Sequence, residues 1–225
     1  VNGSLPVRPQ GEHLVKICGA RRESDLLAIL AAGADLAGLI FAPSKRRVDP
    51  SLAPAMVSVL EGRLPVVGVF VNAPVEEVNA LVRRVPLQYV QLSGQEEPGY
   101  LRSLEAPAIK VLHLHDEDSA GSVLARMDEY DAACAFLIEA WSPLGGGSGR
   151  RADWQLAAAV IAHASRPVLL AGGLTPATVA SALAQTQAQG VDVSSGVERD
   201  GWKDPDLIHQ FVHAVRRGAR RSEEQ

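Results

Sequence analysis

Two short apolar runs, Val168 to Ala171 and Val191 to Val193, stop abruptly at small residues, Gly172-Gly173 and Ser194-Ser195-Gly196. Runs of this kind read as the ends of buried parallel strands. Glycine lets backbone N–H groups approach an anion closely, and the start of a following helix adds partial positive charge. Two such turns side by side therefore suit a phosphate group. Thr175-Pro176 supplies the helix start in this reading, with threonine as the cap and proline at the first helical position. Two groups able to move protons stand in similar places. Cys18 ends the stretch Leu14-Val15-Lys16-Ile17 and precedes Gly19. A free cysteine is commonly an apolar filler, but a strand tip before a glycine suits a catalyst equally well. Glu139 follows Phe136-Leu137-Ile138. A carboxylate there points either to function or to an ion pair with Arg46 or Lys16.

Other residues near strand ends have plainer readings. His113 and His115 straddle the end of a fifth apolar run, one of them expected to face inward, and either reads as a structural hydrogen-bonding group. Asp153 before Trp154 is an ordinary helix cap. The run Gly145 to Gly149 fits a loop that closes over a ligand, with Gly147 at its centre, and fits a linker as well. Cys134 begins a strand and reads as core. Arg216, Arg217, Arg220 and Arg221 favour the end of a final helix and solvate a tail.

The elements that must position these groups alternate strand and helix. Strands are expected at Leu14 to Cys18, Leu36 to Phe41, Pro65 to Val71, Leu87 to Leu92, Ala108 to Leu114 and Cys134 to Ile138, and at the two runs described first. Ser24 is expected to cap the first helix, with Leu26, Leu27 and Leu30 on its buried side. Pro50 opens a second helix carrying Met56, Val57 and Leu60, and Val75, Val78, Leu81 and Val82 mark a third. A weaker helix lies around Tyr100 to Leu104. Val123, Leu124 and Met127 mark the next, Trp154 to Ala162 the sixth, and Asp204-Pro205 begins the last, with Ile208, Phe211, Val212 and Val215 facing inward. Eight strand-then-helix units with short connections predict an α/β fold closed as a (β/α)8 TIM barrel, whose active site lies where the strands end. An open doubly wound sheet is the alternative, but it lacks a glycine-rich first turn here.

With 225 residues and 47% hydrophobic composition the chain can bury a substantial core in one domain. Residues 1–13 read as a flexible leader, 14–217 as the catalytic barrel and 218–225 as a charged tail. A net charge of -4, with both signs mixed, gives no sign of a nucleic-acid surface. No apolar run reaches the roughly 18 residues of a membrane span, so a cytoplasmic enzyme is expected. The two cysteines lack metal-type spacing, and no HExxH, GxGxxG or P-loop sequence is present.

Lys16-Ile17-Cys18-Gly19, Phe41-Ala42-Pro43 with Ser44-Lys45-Arg46, Gly68 to Asn72, Gln91-Leu92, Gly145 to Gly149 with Asp153-Trp154, Ala171 to Pro176 and Asp192 to Glu198 closely resemble the phosphoribosylanthranilate isomerase family of tryptophan biosynthesis. The match runs in order from about Leu14 to Val215, and its last block is the most specific. The resemblance implies an Amadori rearrangement of a phosphorylated aminosugar, N-(5-phosphoribosyl)anthranilate, to 1-(2-carboxyphenylamino)-1-deoxyribulose 5-phosphate, without cofactor or metal, by a monomer or homodimer. It implies Cys18 as general base and Glu139 as general acid. By the same resemblance Asp192 supports them, Arg46 holds the anthranilate carboxylate, and Gly172, Gly173, Ser194, Ser195 and Gly196 bind phosphate. A thiol titrating near about 8.5 is roughly placed for this work, whereas a carboxyl near about 4.3 must be raised by burial. If the two approach each other they titrate as a coupled pair holding one proton between them.

The chain departs from the family pattern in three places. The acid is usually aspartate, and Glu139 is one methylene longer; a misplacement of about 1 Å costs on the order of a hundredfold in rate unless neighbours compensate. The basic loop is one residue shorter than usual, so Arg46 is assigned by its Ser-x-Arg context. Ser93 stands where the fourth strand usually carries histidine. Two alternatives follow: a sugar-phosphate-binding barrel with weak or no turnover, which only Glu139 favours, and the aminoaldose isomerase of histidine biosynthesis. The latter family has aspartate at the Cys18 position and a second phosphate turn, whereas strand three here ends Phe70-Val71-Asn72 with no glycine pair.

Overall fold

Near-continuous apolar runs bounded by glycine or proline become strands buried on both faces. The computed structural model describes residues 3–6, 8–9, 11–140 and 153–222, with side chains described to residue 217. Eight parallel strands close in sequence order: β1 (Leu14–Cys18), β2 (Leu36–Ile40), β3 (Val66–Phe70), β4 (Tyr89–Leu92), β5 (Ala108–Leu114), β6 (Ala133–Ala140), β7 (Val168–Leu170) and β8 (Gly190–Val193), with β8 pairing back onto β1. Around them lie α1 (Glu23–Ala31), α2 (Ala53–Ser58), α3 (Val75–Arg84), α4 (Pro98–Leu101), α5 (Ala120–Glu129), α6 (Trp154–Ile161), α7 (Val179–Thr186) and α8 (Pro205–Ser222). This is the expected TIM barrel.

Alternation along the strands sorts the side chains into two cores. Val15, Ile17, Val66, Val90, Phe136 and Ile138 face the helices, where Leu26, Val78, Val123, Ile208 and Phe211 meet them. Leu14, Leu36, Val67, Ile109, Val111, Ala135, Leu137 and Leu169 fill the interior of the barrel. The next inward positions toward the strand ends carry the polar groups: Lys16 and Cys18 on β1, His113 on β5, Glu139 on β6 and Asp192 on β8. Register brings some of them together, pairing Lys16 with Asp192 and His113 with Glu139.

Several local expectations shift. Strand β6 runs on to Ala140, so Glu139 lies within it rather than after it. Thr175-Pro176 does not start α7: Thr175 N–H donates to Thr178 Oγ1 at 3.0 Å in a turn, and the helix begins at Val179. Ser24 is not the cap of α1. The Asp25 carboxylate reaches back to accept from the N–H groups of Arg21 and Arg22 at 2.9 and 3.2 Å, which moves the start to Glu23. That phase turns Leu27 outward and puts Ile29 inside. Helix α4 is a single turn, opened by Pro98. His113 and His115 share a side by alternation, but β5 ends at Leu114 and only His113 lies in the strand. Cys134, half-buried, packs against the interior cluster at the far end from the strand tips.

Before β1, Leu5 is buried in the same interior cluster, Tyr89 Oη donates to the Ser4 carbonyl at 2.9 Å, and Arg8 pairs with Asp35. These contacts close the barrel floor. Among the described residues no helix is long and apolar enough to cross a membrane.

Candidate active site

Strand β1 places Lys16 and Cys18 on one inward row. Lys16 is fully buried, and its Nζ donates to Asp192 Oδ1 at 2.6 Å across the β1–β8 register. An unpaired ammonium there would be prohibitive, so Asp192 is what permits the lysine. Burial opposes the Lys16 charge, but Asp192 and the nearby Cys18 outweigh it and raise its pKa. Burial pushes the Cys18 thiol up, while the Lys16 and Lys203 ammonium groups pull it back toward the thiolate. Gly38, the register partner of Cys18 on β2, leaves the space they occupy: a Cβ at 38 would lie 2.9 Å from Cys18 Sγ and 3.3 Å from Lys16 Nζ.

Beside this row lies a second charge cluster. Arg46, after β2, donates from Nε and Nη2 to Glu198 Oε1 and Oε2 at 2.6 and 2.9 Å, a bidentate pair. Lys203 Nζ donates to the same carboxylate at 2.9 Å and to the Ser194 carbonyl at 2.8 Å. Glu198 and Lys203 face each other across a small antiparallel hairpin, β9 (Glu198–Arg199) and β10 (Trp202–Lys203). Asp200 and Gly201, both at positive φ (52° and 76°), form the two-residue turn that this hairpin requires. Burial alone would raise the Glu198 carboxyl, but Arg46 and Lys203 hold it below the usual carboxylate range. The Glu198 hydrogen bond in turn raises Arg46, and burial lowers Lys203.

The two turns singled out in the sequence are in contact. After β7, Gly172 and Gly173 have φ of 89° and 65°, and after β8 Ser194 leads into a 3-10 turn, Ser195–Val197. A Cβ on Gly196 would sit 1.8 Å from the Leu174 carbonyl oxygen, so only glycine lets the β8 turn lie on the β7 turn. Gly172, Gly173, Ser194, Ser195 and Gly196 are all half-buried, just beyond the ends of β7 and β8.

On the opposite side of the mouth, Glu139 Oε1 lies 3.3 Å from His113 Nδ1. Arg46 and Lys16, the cations weighed as partners for Glu139, are engaged by Glu198 and Asp192 instead. The structure thus brings Cys18 and Asp192 together through Lys16, links Arg46 to Ser194 through Glu198 and Lys203, and sets Glu139 across the barrel with His113. Gly147 and the run Gly145 to Gly149 lie outside the described residues. Sequence reasoning weighed Lys16 only as a partner for Glu139 and assigned no role to Glu198 or Lys203. A lysine two residues before Cys18 in an apolar strand, and an Asp-Gly pair flanked by Glu198 and Lys203, were the available signals.

This ring of groups can be set beside known proteins. The family model described as N-(5'phosphoribosyl)anthranilate (PRA) isomerase matches residues 15–214. An N-(5'-phosphoribosyl)anthranilate isomerase of Symbiobacterium thermophilum is 39% identical over 224 residues, covering 92% of this chain and 99% of the relative. The crystal structure of the phosphoribosyl anthranilate isomerase of Thermotoga maritima superposes with a TM-score of 0.81 at 34% identity, over 91% of this chain and 98% of that one; monomers made from that dimeric enzyme are similar too. A further isomerase structure, in complex with reduced 1-(o-carboxyphenylamino)-1-deoxyribulose 5-phosphate, matches with a TM-score of 0.78 and 32% identity over 91% of this chain and 98% of that one. With the model spanning almost the entire barrel, the chain belongs to the N-(5'-phosphoribosyl)anthranilate isomerase family.

Proposed function

We propose that the barrel mouth carries out its family's activity, the isomerisation of N-(5'-phosphoribosyl)anthranilate in tryptophan biosynthesis, with Cys18 as general base and Glu139 as general acid. Glu139 gives its proton to the ribose ring oxygen, the C1'–O bond breaks with its electron pair going to that oxygen, and the nitrogen lone pair closes the C=N bond of an iminium. Cys18, as thiolate, removes the C2' proton to leave an enolamine, which tautomerises to the aminoketose. Cys18 then holds the proton that Glu139 lacks, and exchange with solvent restores both. Lys16 stabilises the thiolate in this scheme, and Asp192 keeps Lys16 charged and in place.

The phosphate is held by backbone N–H groups of Gly173, Ser195 and Gly196, with Gly172 and Ser194 shaping the turns. Arg46 takes the anthranilate carboxylate with the part of its guanidinium that Glu198 leaves uncovered. The phosphorylated aminosugar is the partner, and the chain acts as a monomer or homodimer. The observation that carries this reading is the inward placement of Cys18, beside the Lys16–Asp192 pair, and of Glu139 at the same end of one barrel.

Turnover is followed by the loss of anthranilate fluorescence from phosphoribosylanthranilate. Cys18→Ser is expected to abolish turnover while leaving affinity for a product analogue largely intact, because a hydroxyl is a far poorer base than a thiolate at neutral pH. A near-normal rate in that variant overturns the assignment of Cys18.

A further inference from the structure

His113 and Glu139 are register partners on neighbouring strands, and each continues an inward row, after Ile109 and Val111 on β5 and after Ala135 and Leu137 on β6. The imidazole bridges three strand ends. Nε2 lies 3.2 Å from the carbonyl oxygen of Ser93, which follows β4, and Nδ1 lies 3.3 Å from Glu139 Oε1. A carbonyl only accepts, so the contact with Ser93 assigns the hydrogen to Nε2. A neutral imidazole carries one N–H, and Nδ1 then presents a lone pair to Glu139. Lone pair against carboxylate is repulsive; the contact is favourable only with a proton between Nδ1 and Oε1.

Burial pulls His113 below the ordinary imidazole range, against the Ser93 carbonyl, and Lys110, His115 and Arg126 add to the lowering, which favours the neutral ring and so leaves Nδ1 able to accept from a protonated carboxyl. Among the described residues, these are the charged or titratable groups that act on the ring besides Glu139: Lys110 on the same strand, His115 just beyond it and Arg126 on α5. Lys110 is balanced by Glu96 at 2.7 Å and Arg126 by Asp118 at 2.9 Å.

We propose that His113 is a positioning residue for the isomerisation: anchored on the Ser93 carbonyl, its imidazole fixes the Glu139 carboxyl at the mouth in the proton-bearing form that ring opening consumes. This rests on the reading of Glu139 as general acid. When Glu139 releases its proton to the ring oxygen, the carboxylate left behind faces Nδ1, and the unfavourable contact drives recapture of a proton from solvent. His113 also restrains the extra side-chain torsion that a glutamate brings.

The test compares kcat and KM across pH for the wild type, His113→Ala, His113→Asn, Glu139→Gln and the His113→Ala/Glu139→Gln double variant. Both His113 variants are expected to lose about ten- to a hundredfold in kcat with KM changed less than about threefold, and the alkaline limb of kcat is expected to move to lower pH. In the Glu139→Gln background, His113→Ala is expected to cost less than about threefold more, since the two act as a unit. The proposal is overturned by kcat within about threefold of wild type, by a loss with the alkaline limb unmoved, or by full additivity with Glu139→Gln. Should His113→Ala fail to fold, His113→Asn, which keeps a polar side chain, carries the same comparisons. An active Glu139→Gln refutes the general-acid reading and this proposal together; an inactive one beside unperturbed His113 variants refutes this proposal alone.

Discussion

Replacing Glu198 with glutamine preserves the size of the side chain and removes the one negative charge between Arg46 and Lys203. The three side chains are 7%, 5% and 1% exposed respectively, and both cations bond the carboxylate at 2.6 to 2.9 Å. Removing one member of a buried ion pair costs about 3–5 kcal/mol, because the partner charge stays buried without compensation. Two features place this case at the lower end. The glutamine amide oxygen still accepts one hydrogen bond, and Lys203, already lowered by burial, can shed its proton once Glu198 is gone. At about 3 kcal/mol, and about 2–4 °C per kcal/mol for a domain of this size, the unfolding midpoint should fall by about 6–12 °C. Thermal unfolding of substrate-free protein at neutral pH, followed by circular dichroism, measures it. A shift below about 2 °C would refute the view that Glu198 holds this corner of the mouth together.

The same pairing gives a pH dependence whose sign is fixed. The folded Glu198 carboxyl titrates below its ordinary value of 4.5, so its contribution is fully present above that value and is lost as pH falls through the folded one. The midpoint of the wild type should therefore drop more steeply on acidification below about pH 5 than that of Glu198→Gln, and parallel curves would contradict this. Gly196→Ala forces a Cβ onto the Leu174 carbonyl, at 1.8 Å in the present backbone, and must part the turns after β7 and β8 that are proposed to hold the phosphate. Its KM should rise about tenfold or more with a smaller change in kcat, read from initial rates; an unchanged KM would remove Gly196 from the phosphate site.

The barrel was legible because its strands are written as short apolar runs stopped by small residues, as at Val168 to Gly172 and Val191 to Ser194, and that pattern survives any tertiary context. Helix starts were less so. Thr175-Pro176 has the composition of a cap, yet Thr178 offers its hydroxyl to Thr175 N–H and holds the chain in a turn until Val179. At α1 the reach of Asp25 back to Arg21 and Arg22 displaced the start expected at Ser24.

In the site, single residues at strand tips could be nominated, since position along a strand is local information. Partnerships could not. Lys16 with Asp192 and His113 with Glu139 meet through parallel register between strands many residues apart, and nothing within either strand records its neighbour's phase. Glu198 with Lys203 is the exception: the Asp200-Gly201 turn fixes that register locally, and the pair could have been read from it.

The central claim is that Cys18 and Glu139 work on one sugar from two sides. A crystal structure of the chain with a reduced product analogue tests it most directly. The account predicts the phosphate on the N–H groups of Gly173, Ser195 and Gly196, the anthranilate carboxylate on Arg46, and Cys18 Sγ and a Glu139 oxygen each within about 3.5 Å of the sugar atoms they serve. A ligand seated with either Cys18 or Glu139 turned away from the sugar would contradict it.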